Sequence, residues 1–509
     1  MTGSIKIIKN GFIFTGDKQN RAGQIALLIQ NGRITDLGKP SQVLKTMYPS
    51  AEIIDAAGKV LIPGFIDAHH TGESFILHYL TSGHQMSRWN KNQSIQRAFD
   101  YLQKDATYEE FLSLYRLSYY AALKSGVTTL AEYGMDNPEH SLKAAFESMQ
   151  QVNVRGFIGL HNGDQMEAAQ MMRDKSIRFA LGIADEENLT TYNLQSSLRS
   201  ARELQWPILL HLGQTRRAFD IVKKNFNKSI AKLYEEYRVF DSPVQLLHLS
   251  CFEEGDVEIL GRTGVPIVIS PSAMLQKGAD VPPFDELFRN KILLALGSDW
   301  GVSQPLENIQ TYASMLKTLN IPGEKTYELL ALHTKNGAKA LGLDDEIGTI
   351  EFGKKADITF LDLSDFRIHA ILADESAEKV LSVVLQEATS QHVSDVMING
   401  EFYVREKHLL TYSEEDLAQE AQVLMKKFTS FGSQKPLAAH PSAAIFQLSG
   451  QHNADTELLE NDLPFEEGFK VVQKGEAPSM PPEKRTETKK GKDLELPNSV
   501  RKVFGADDL

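Results

Sequence analysis

The chain has a single cysteine, Cys251, among 509 residues. No internal disulfide framework is available to it, and a reducing compartment is expected. A basic excess is also missing. Lys and Arg number 54 against 67 Asp and Glu, leaving a formal net charge of −13. That balance argues against nucleic acid and against an anionic membrane surface as partners. No apolar run has the length a membrane span needs, and the opening MTGSIKIIKNGFIF lacks a basic region followed by a long apolar stretch. A soluble cytoplasmic protein is the expectation. What the chain does have is apolar content, 42% of residues, enough for a large core. At about 150 residues per domain, its length suggests two to four domains.

Residues 1–60 read as short strands. IKIIKNGFIF, QIALLIQNGRITDLG and EIIDAAGKVLIP carry β-branched and aromatic residues, punctuated by NG and GK. From residue 61 short apolar runs alternate with amphipathic stretches such as EEFLSLYRLSYYAALKSG. The runs are VLIPGFIDAH, VTTLAEYG, RGFIGLHNGD, RFALGIADE, PILLHLGQT, VQLLHLSCF, PIVISPS and ILLALGSDW. Eight buried strands alternating with helices over 61–346 predict a (β/α)8 TIM-like barrel. Strand texture returns over 347–425, in IGTIEFGKKADITFLDL, KVLSVVLQ and VSDVMINGEFYVREKHLL. The expected architecture is therefore α/β, with the barrel inserted in a small β-sandwich built from both chain ends. Residues 430–509 include APSMPPEKRTETKKGKDLELP, charged and poor in large apolar residues, and are expected to form a disordered tail.

Nearly every barrel run ends in a polar residue: His69, Glu132, His161, Asp185, His211, His248, Ser270 and Asp299. The C-terminal strand ends of such barrels share one face, where active sites form. A polar strand end is ordinarily the start of a solvated loop, but eight in series would converge on one mouth.

At this point the chain resembles the amidohydrolase superfamily, in its cytosine deaminase and chlorohydrolase-like branch. The matching pieces are NGRITDLG, DAAGKVLIPGFIDAH, SGVTTLAEYG, LLHLGQT, LLHLS, LALGSDWGVS, TKNGAKALGLDDEIGTIEFGKKADITFLDL and VMINGEFYV, in order over residues 1 to about 425. The resemblance implies one divalent metal, zinc or iron, that activates water to attack a carbon bearing a nitrogen or chloride leaving group. It implies His69, His211 and Asp299 as metal ligands. Asp299 would also take a proton from the attacking water. His248 would orient the water or substrate, or stabilise charge on it.

Three positions depart from the family pattern. The histidine expected two residues after His69 is Thr71, and His70 stands between them. Strand alternation turns His70 away from His69's face unless a bulge shifts the register. Glu73 shares the alternation of His69 and could supply a carboxylate instead. Gln214 replaces the glutamate that shuttles a proton in the deaminase-like branch, and an amide cannot donate a carboxylic proton. In GIADEEN, relatives often carry a substrate-contacting histidine. Here stand Asp185, Glu186 and Glu187, which would favour a cationic ligand at the mouth or complement a helix dipole. Gln214, His161 and Glu186 are the candidate substrate contacts, with Arg88 and Trp89 as further pocket residues.

Two readings follow. One is an amidohydrolase-like enzyme hydrolysing a non-peptide C–N bond in a small molecule, with the deaminase subclass disfavoured by Gln214. The other is a catalytically impaired relative serving as a binding or assembly module. The small-molecule substrate is the expected partner. Homo-oligomerisation and a protein partner for the C-terminal tail both stay open.

Overall fold

In a computed structural model of the chain, Pro63 and Gly64 divide the first long apolar run into two strands, Lys59–Pro63 and Phe65–His70. A side chain at Gly64 would place its Cβ 2.5 Å from the Thr128 hydroxyl, so the crossing between the two strands requires glycine. The structure describes residues 4–133, 140–161, 163–182, 186–364 and 376–433. The tail from 434 onward and Asp185 lie outside them.

The strand Phe65–His70 begins a parallel sheet of eight, with Val127–Glu132, Arg155–Leu160, Ile177–Gly182, Ile208–Leu212, Val244–His248, Ile267–Ile269 and Leu294–Leu296 following in sequence order. All eight fall on the runs expected to form them. Apart from Arg178, every residue of these strands is buried, as a sheet covered on both faces requires. Helices such as Tyr108–Lys124, Ser141–Val152, Thr191–Leu204 and Pro305–Thr318 cover the outside. The inside is filled by Ile66, Ala68, Ala131, Phe157, Ala180, Leu209, Leu247, Val268 and Ala295, which form one apolar cluster. The two edges meet where the Asp299 N–H donates to the His69 carbonyl at 2.7 Å. The sheet is thus a TIM-like barrel.

Two further sheets draw on the chain ends. Ile5–Lys9, Leu27–Gln30, Arg33–Leu37 and Glu52–Asp55 form one. The other has seven strands and mixes both ends: Lys59–Pro63 pairs antiparallel with Ile358–Asp362, and this with Val393–Ile398. The buried Arg155 guanidinium ties this layer to the barrel through Asp357 and through Asn399 at 2.6 Å. The helix Glu414–Ser433 lies past the sheet strands, with Leu424 and Phe428 buried. Its Lys427 pairs with Glu110, on the helix Tyr108–Lys124.

Candidate metal centre

Along the first strand, Ile66 and Ala68 point into the barrel. Strict alternation would send His70 inward and His69 outward. The pairing to the second strand slips between Asp67 and His70, so that three steps on the first strand match two on the second. This bulge reverses the alternation. His69 turns inward, and His70 turns out against the helix Tyr108–Lys124. The His70 ring is fully engaged there: Nε2 lies 2.8 Å from Ser118 Oγ, and Nδ1 lies 2.9 Å from Ser298 Oγ and 3.2 Å from Asp67 Oδ2. Burial disfavours the charged ring, but the Asp67 carboxylate outweighs it and raises the His70 pKa. Thr71 falls just beyond the strand, in a turn whose carbonyl accepts from Ser74. Glu73 is buried, and its carboxylate accepts from the Tyr115 hydroxyl on the same covering helix.

The sixth strand supplies its histidine by a second break in alternation. Leu247 points inward, so His248 should point out. Instead His248 and Leu249 take φ of 83° and 82°, a left-handed pair that swings the imidazole back to the mouth. Such backbone is costly for residues with a Cβ and concentrates at functional sites. The fifth strand needs no such device, since His211 shares the inward face of Leu209. Just past the eighth strand, Gly297 faces His69 so closely that a Cβ there would lie 2.6 Å from the His69 Cβ and backbone nitrogen.

The result is a buried triad. His69, His211 and His248 each offer one ligand nitrogen within 4.8 Å of the others. Their ring centroids are 5.1 to 6.2 Å apart. Among the described residues, His69 Nδ1, His211 Nδ1 and His248 Nε2 have no hydrogen-bond partner although all three are buried. Burial pushes all three rings toward the neutral form: His248 down to about 3, His211 well below its ordinary value, and His69 below it despite Asp299. Neutral imidazoles with unsatisfied nitrogens are the donor set a divalent cation such as zinc requires.

Asp299 lies at the rim of this triad, with Oδ1 4.0 Å from His69 Nε2. Its other oxygen, Oδ2, accepts from Lys277 Nζ at 2.7 Å, and both side chains are about 6% exposed. The ammonium also lies 5.2 Å from the Trp300 ring centroid. Burial would raise the Asp299 pKa, but Lys277 beside it holds the carboxyl far below the usual range. Trp89 packs on Trp300 with centroids 5.0 Å apart.

The remaining candidates sit around the triad. The Glu186 carboxylate is buried and accepts from the backbone N–H of Gly213 at 2.6 Å and of Gln214 at 3.0 Å, fixing the turn after the fifth strand. Glu187 pairs with Arg217. His161 is half-buried, its Nε2 3.1 Å from the Tyr133 carbonyl. Glu132 accepts from the Gly72 N–H and from the Tyr119 hydroxyl, at about 3.0 Å each. Lys277 and Tyr133 were not singled out from the sequence. The Tyr133 ring lies 4.7 Å from His211, 4.9 Å from His161 and 5.7 Å from His69 by centroid. Its signal was its place one residue past the polar end of the second strand. For Lys277 the signal was weak: a helix lysine with Met274 and Ala273 where an (i−3) or (i−4) carboxylate would pair with it.

The chain is 25% identical over 433 residues to a 5-methylthioadenosine/S-adenosylhomocysteine deaminase of Pyrococcus furiosus, covering 81% of this chain and 98% of that one. It is 24% identical over 446 residues to a 5'-deoxyadenosine deaminase of Methanosarcina acetivorans, covering 83% and 98%. Among solved structures, a zinc-bound adenosine deaminase of Xanthomonas campestris superimposes with a TM-score of 0.74 at 19% identity, covering 83% and 98%. A zinc complex of atrazine chlorohydrolase from Arthrobacter aurescens gives 0.70 at 17%, covering 82% and 99%. The model of the Amidohydrolase family matches residues 60–402 of the 509. The match covers well over half of the sequence, and the chain is a member of the Amidohydrolase family.

Proposed function

We propose that this protein hydrolyses a C–N bond other than a peptide bond in a small molecule, at one divalent metal held by His69, His211 and His248. The observation that carries the reading is the triad itself: three buried, neutral imidazoles with ring nitrogens that nothing else satisfies. A divalent metal there would supply the Lewis acidity that makes water a nucleophile at neutral pH. Zinc is favoured by the all-nitrogen donor set, and the zinc-bound adenosine deaminase and chlorohydrolase are consistent with it.

In this reading Asp299 orients the attacking water from the rim, 4.0 Å from His69. Water's oxygen bonds to the substrate carbon and the C–N bond breaks; on an amine-bearing ring, one of water's protons leaves on the ammonia and the other ends on the ring nitrogen beside the new carbonyl. Gln214 offers its amide to a substrate nitrogen, and its turn is set by Glu186. Tyr133 and His161 form one wall of the pocket. The relatives named as deaminases support an amine-bearing heterocycle as the substrate class. Gln214 then makes the leaving group's proton come from the rim or from solvent. The alternative of a barrel without catalysis finds no support in these comparisons.

The test is direct. The chelator-stripped chain is titrated with zinc and assayed for ammonia release from 5'-methylthioadenosine and S-adenosylhomocysteine. About one zinc per chain and turnover that His211→Ala abolishes are expected. A reconstituted chain that takes up no divalent metal would overturn the reading.

A further inference from the structure

Among the helices that cover the barrel, one cleft of 770 Å3 collects three exposed arginines. Arg199 and Arg202 stand three residues apart on the helix Thr191–Leu204, and so on one face of it. Arg238 comes from a second element, the turn between the helix Ile230–Glu236 and the strand Val244–His248. Its backbone is left-handed, with φ of 54°, a costly state for a residue with a Cβ. Both segments lead within a few residues into barrel strands, the fifth and the sixth. The cleft therefore lies toward the N-terminal strand ends, whereas the histidine triad lies at the C-terminal ends.

The charge of this cleft is unbalanced. Among the described residues no Asp or Glu pairs with Arg199, Arg202 or Arg238. The acids beside them are engaged by other cations. Glu235 pairs with Arg262 at 3.2 Å, and Glu236, which lines the cleft, pairs with Lys228. Glu203 offsets part of the charge, leaving three guanidiniums against one carboxylate. Like charges gathered on one wall repel each other, and this happens in a chain whose net charge is −13.

We propose that the cleft binds a soluble polyanion of the diphosphate class, either inorganic or as the end of a phosphate ester. A guanidinium fork pairs its N–H donors with oxyanions two at a time. Three forks exceed the two oxygens of a single carboxylate, while a diphosphate presents terminal oxygens on both of its phosphorus atoms. Gln195 adds an uncharged amide donor to the same lining. The volume suits a small molecule, whose sites run from about 300 to 1,000 Å3. This site shares no residue with the proposed metal centre, so it holds or fails independently of that reading.

Isothermal titration of the full-length, metal-stripped chain with inorganic pyrophosphate tests it. Saturable binding of about one pyrophosphate per chain is expected, with no competition from acetate at equal ionic strength. Arg199→Gln, Arg202→Gln and Arg238→Gln should each weaken binding at least about tenfold. Glu203→Gln should tighten it by about two- to fivefold. His211→Ala should leave it unchanged, which separates this cleft from the triad. Thermal melts of the arginine variants should match wild type, since all three side chains are exposed. Vesicles bearing phosphoinositide headgroups should not sediment the chain. Absence of pyrophosphate binding, or binding that survives the triple arginine substitution, would overturn the proposal. Arginine-dependent sedimentation with the vesicles would overturn the soluble class.

Discussion

The carboxylate of Asp67 and the ring of His70 meet at 3.2 Å on the outer side of the first barrel strand, facing away from His69. Asp67 is also the residue that closes the barrel. Its Oδ1 accepts from the Ser298 N–H at 2.8 Å, and its Oδ2 accepts from the hydroxyls of Ser298 and Ser303 at 2.6 Å each. The pair therefore belongs to barrel closure and not to the metal. His70→Ala leaves a buried carboxylate without its cation and should lower unfolding free energy by about 3 kcal/mol. Zinc per chain should be unchanged. Urea denaturation with metal analysis on the same samples separates the two outcomes, and loss of zinc from a still-folded variant would contradict this assignment.

Much of this was legible in the sequence; KVLSVVLQ, read as strand, is instead part of the helix Ala377–Glu387, and the other exceptions share one physical cause. Eight apolar runs of strand length, each followed by helical texture, placed the barrel, because periodicity and alternation survive without knowledge of partners. His69 and His211 were legible as inward-facing histidines. Alternation alone, however, could not have justified His69 beside Ile66 and Ala68, since the bulge that reverses it is a property of pairing to the second strand. His248 likewise enters the triad through a left-handed backbone that no local residue pattern announces. Lys277 was invisible because its partner lies 22 residues away on another element. Glu186 read as a mouth residue, yet its carboxylate is bound to backbone amides of the next strand's turn, a long-range bond that composition cannot encode.

Gln214 stands where the family pattern has a glutamate able to carry a proton. Gln214→Glu would restore that group on a residue whose backbone N–H bonds the buried Glu186 carboxylate. In its acid form such a group can protonate the ring nitrogen beside the attacked carbon, a contribution of about a hundredfold in favourable cases. Ammonia release from the adenosine derivatives should therefore rise in kcat by at least about tenfold, with little change in KM. An unchanged kcat across neutral pH would mean that proton delivery does not limit the reaction.

Glu324 and Tyr312 make a pH-dependent contact far from the metal centre. The Tyr312 hydroxyl donates to Glu324 Oε1 at 3.0 Å, and burial, reinforced by Glu328, raises the carboxyl to about 7. A raised carboxyl pKa means the folded chain binds more protons than the unfolded chain between about pH 4.5 and 7. This group's contribution is most favourable below that window and declines as pH rises through it. Glu324→Gln keeps the acceptor and removes the titration. The variant should be more stable than wild type at pH 8 by about 1–2 kcal/mol, the half-buried position tempering the full effect. The difference should vanish toward pH 4.5. Urea midpoints across this range measure it, and parallel profiles for the two chains would refute the assignment.

Gly297 sets how closely the eighth strand approaches His69, and it tests whether triad geometry depends on that approach. A methyl group there would meet the His69 Cβ and backbone nitrogen at 2.6 Å. Backbone on both strands is held by the Asp299 N–H bond to the His69 carbonyl and by the Asp67 contacts to Ser298, so neither can retreat freely. Overpacking of this kind costs about 1–3 kcal/mol. The strain falls on a member of the histidine triad proposed to hold the metal, so metal affinity should suffer more than stability. Gly297→Ala should weaken zinc binding by at least about tenfold, read by chelator competition. Ala295→Val, one inward position earlier on the same strand, overpacks the apolar interior instead and should cost stability while leaving zinc affinity near wild type. Equal losses of zinc affinity in both variants would show that the triad responds to barrel packing in general and not to the contact between Gly297 and His69.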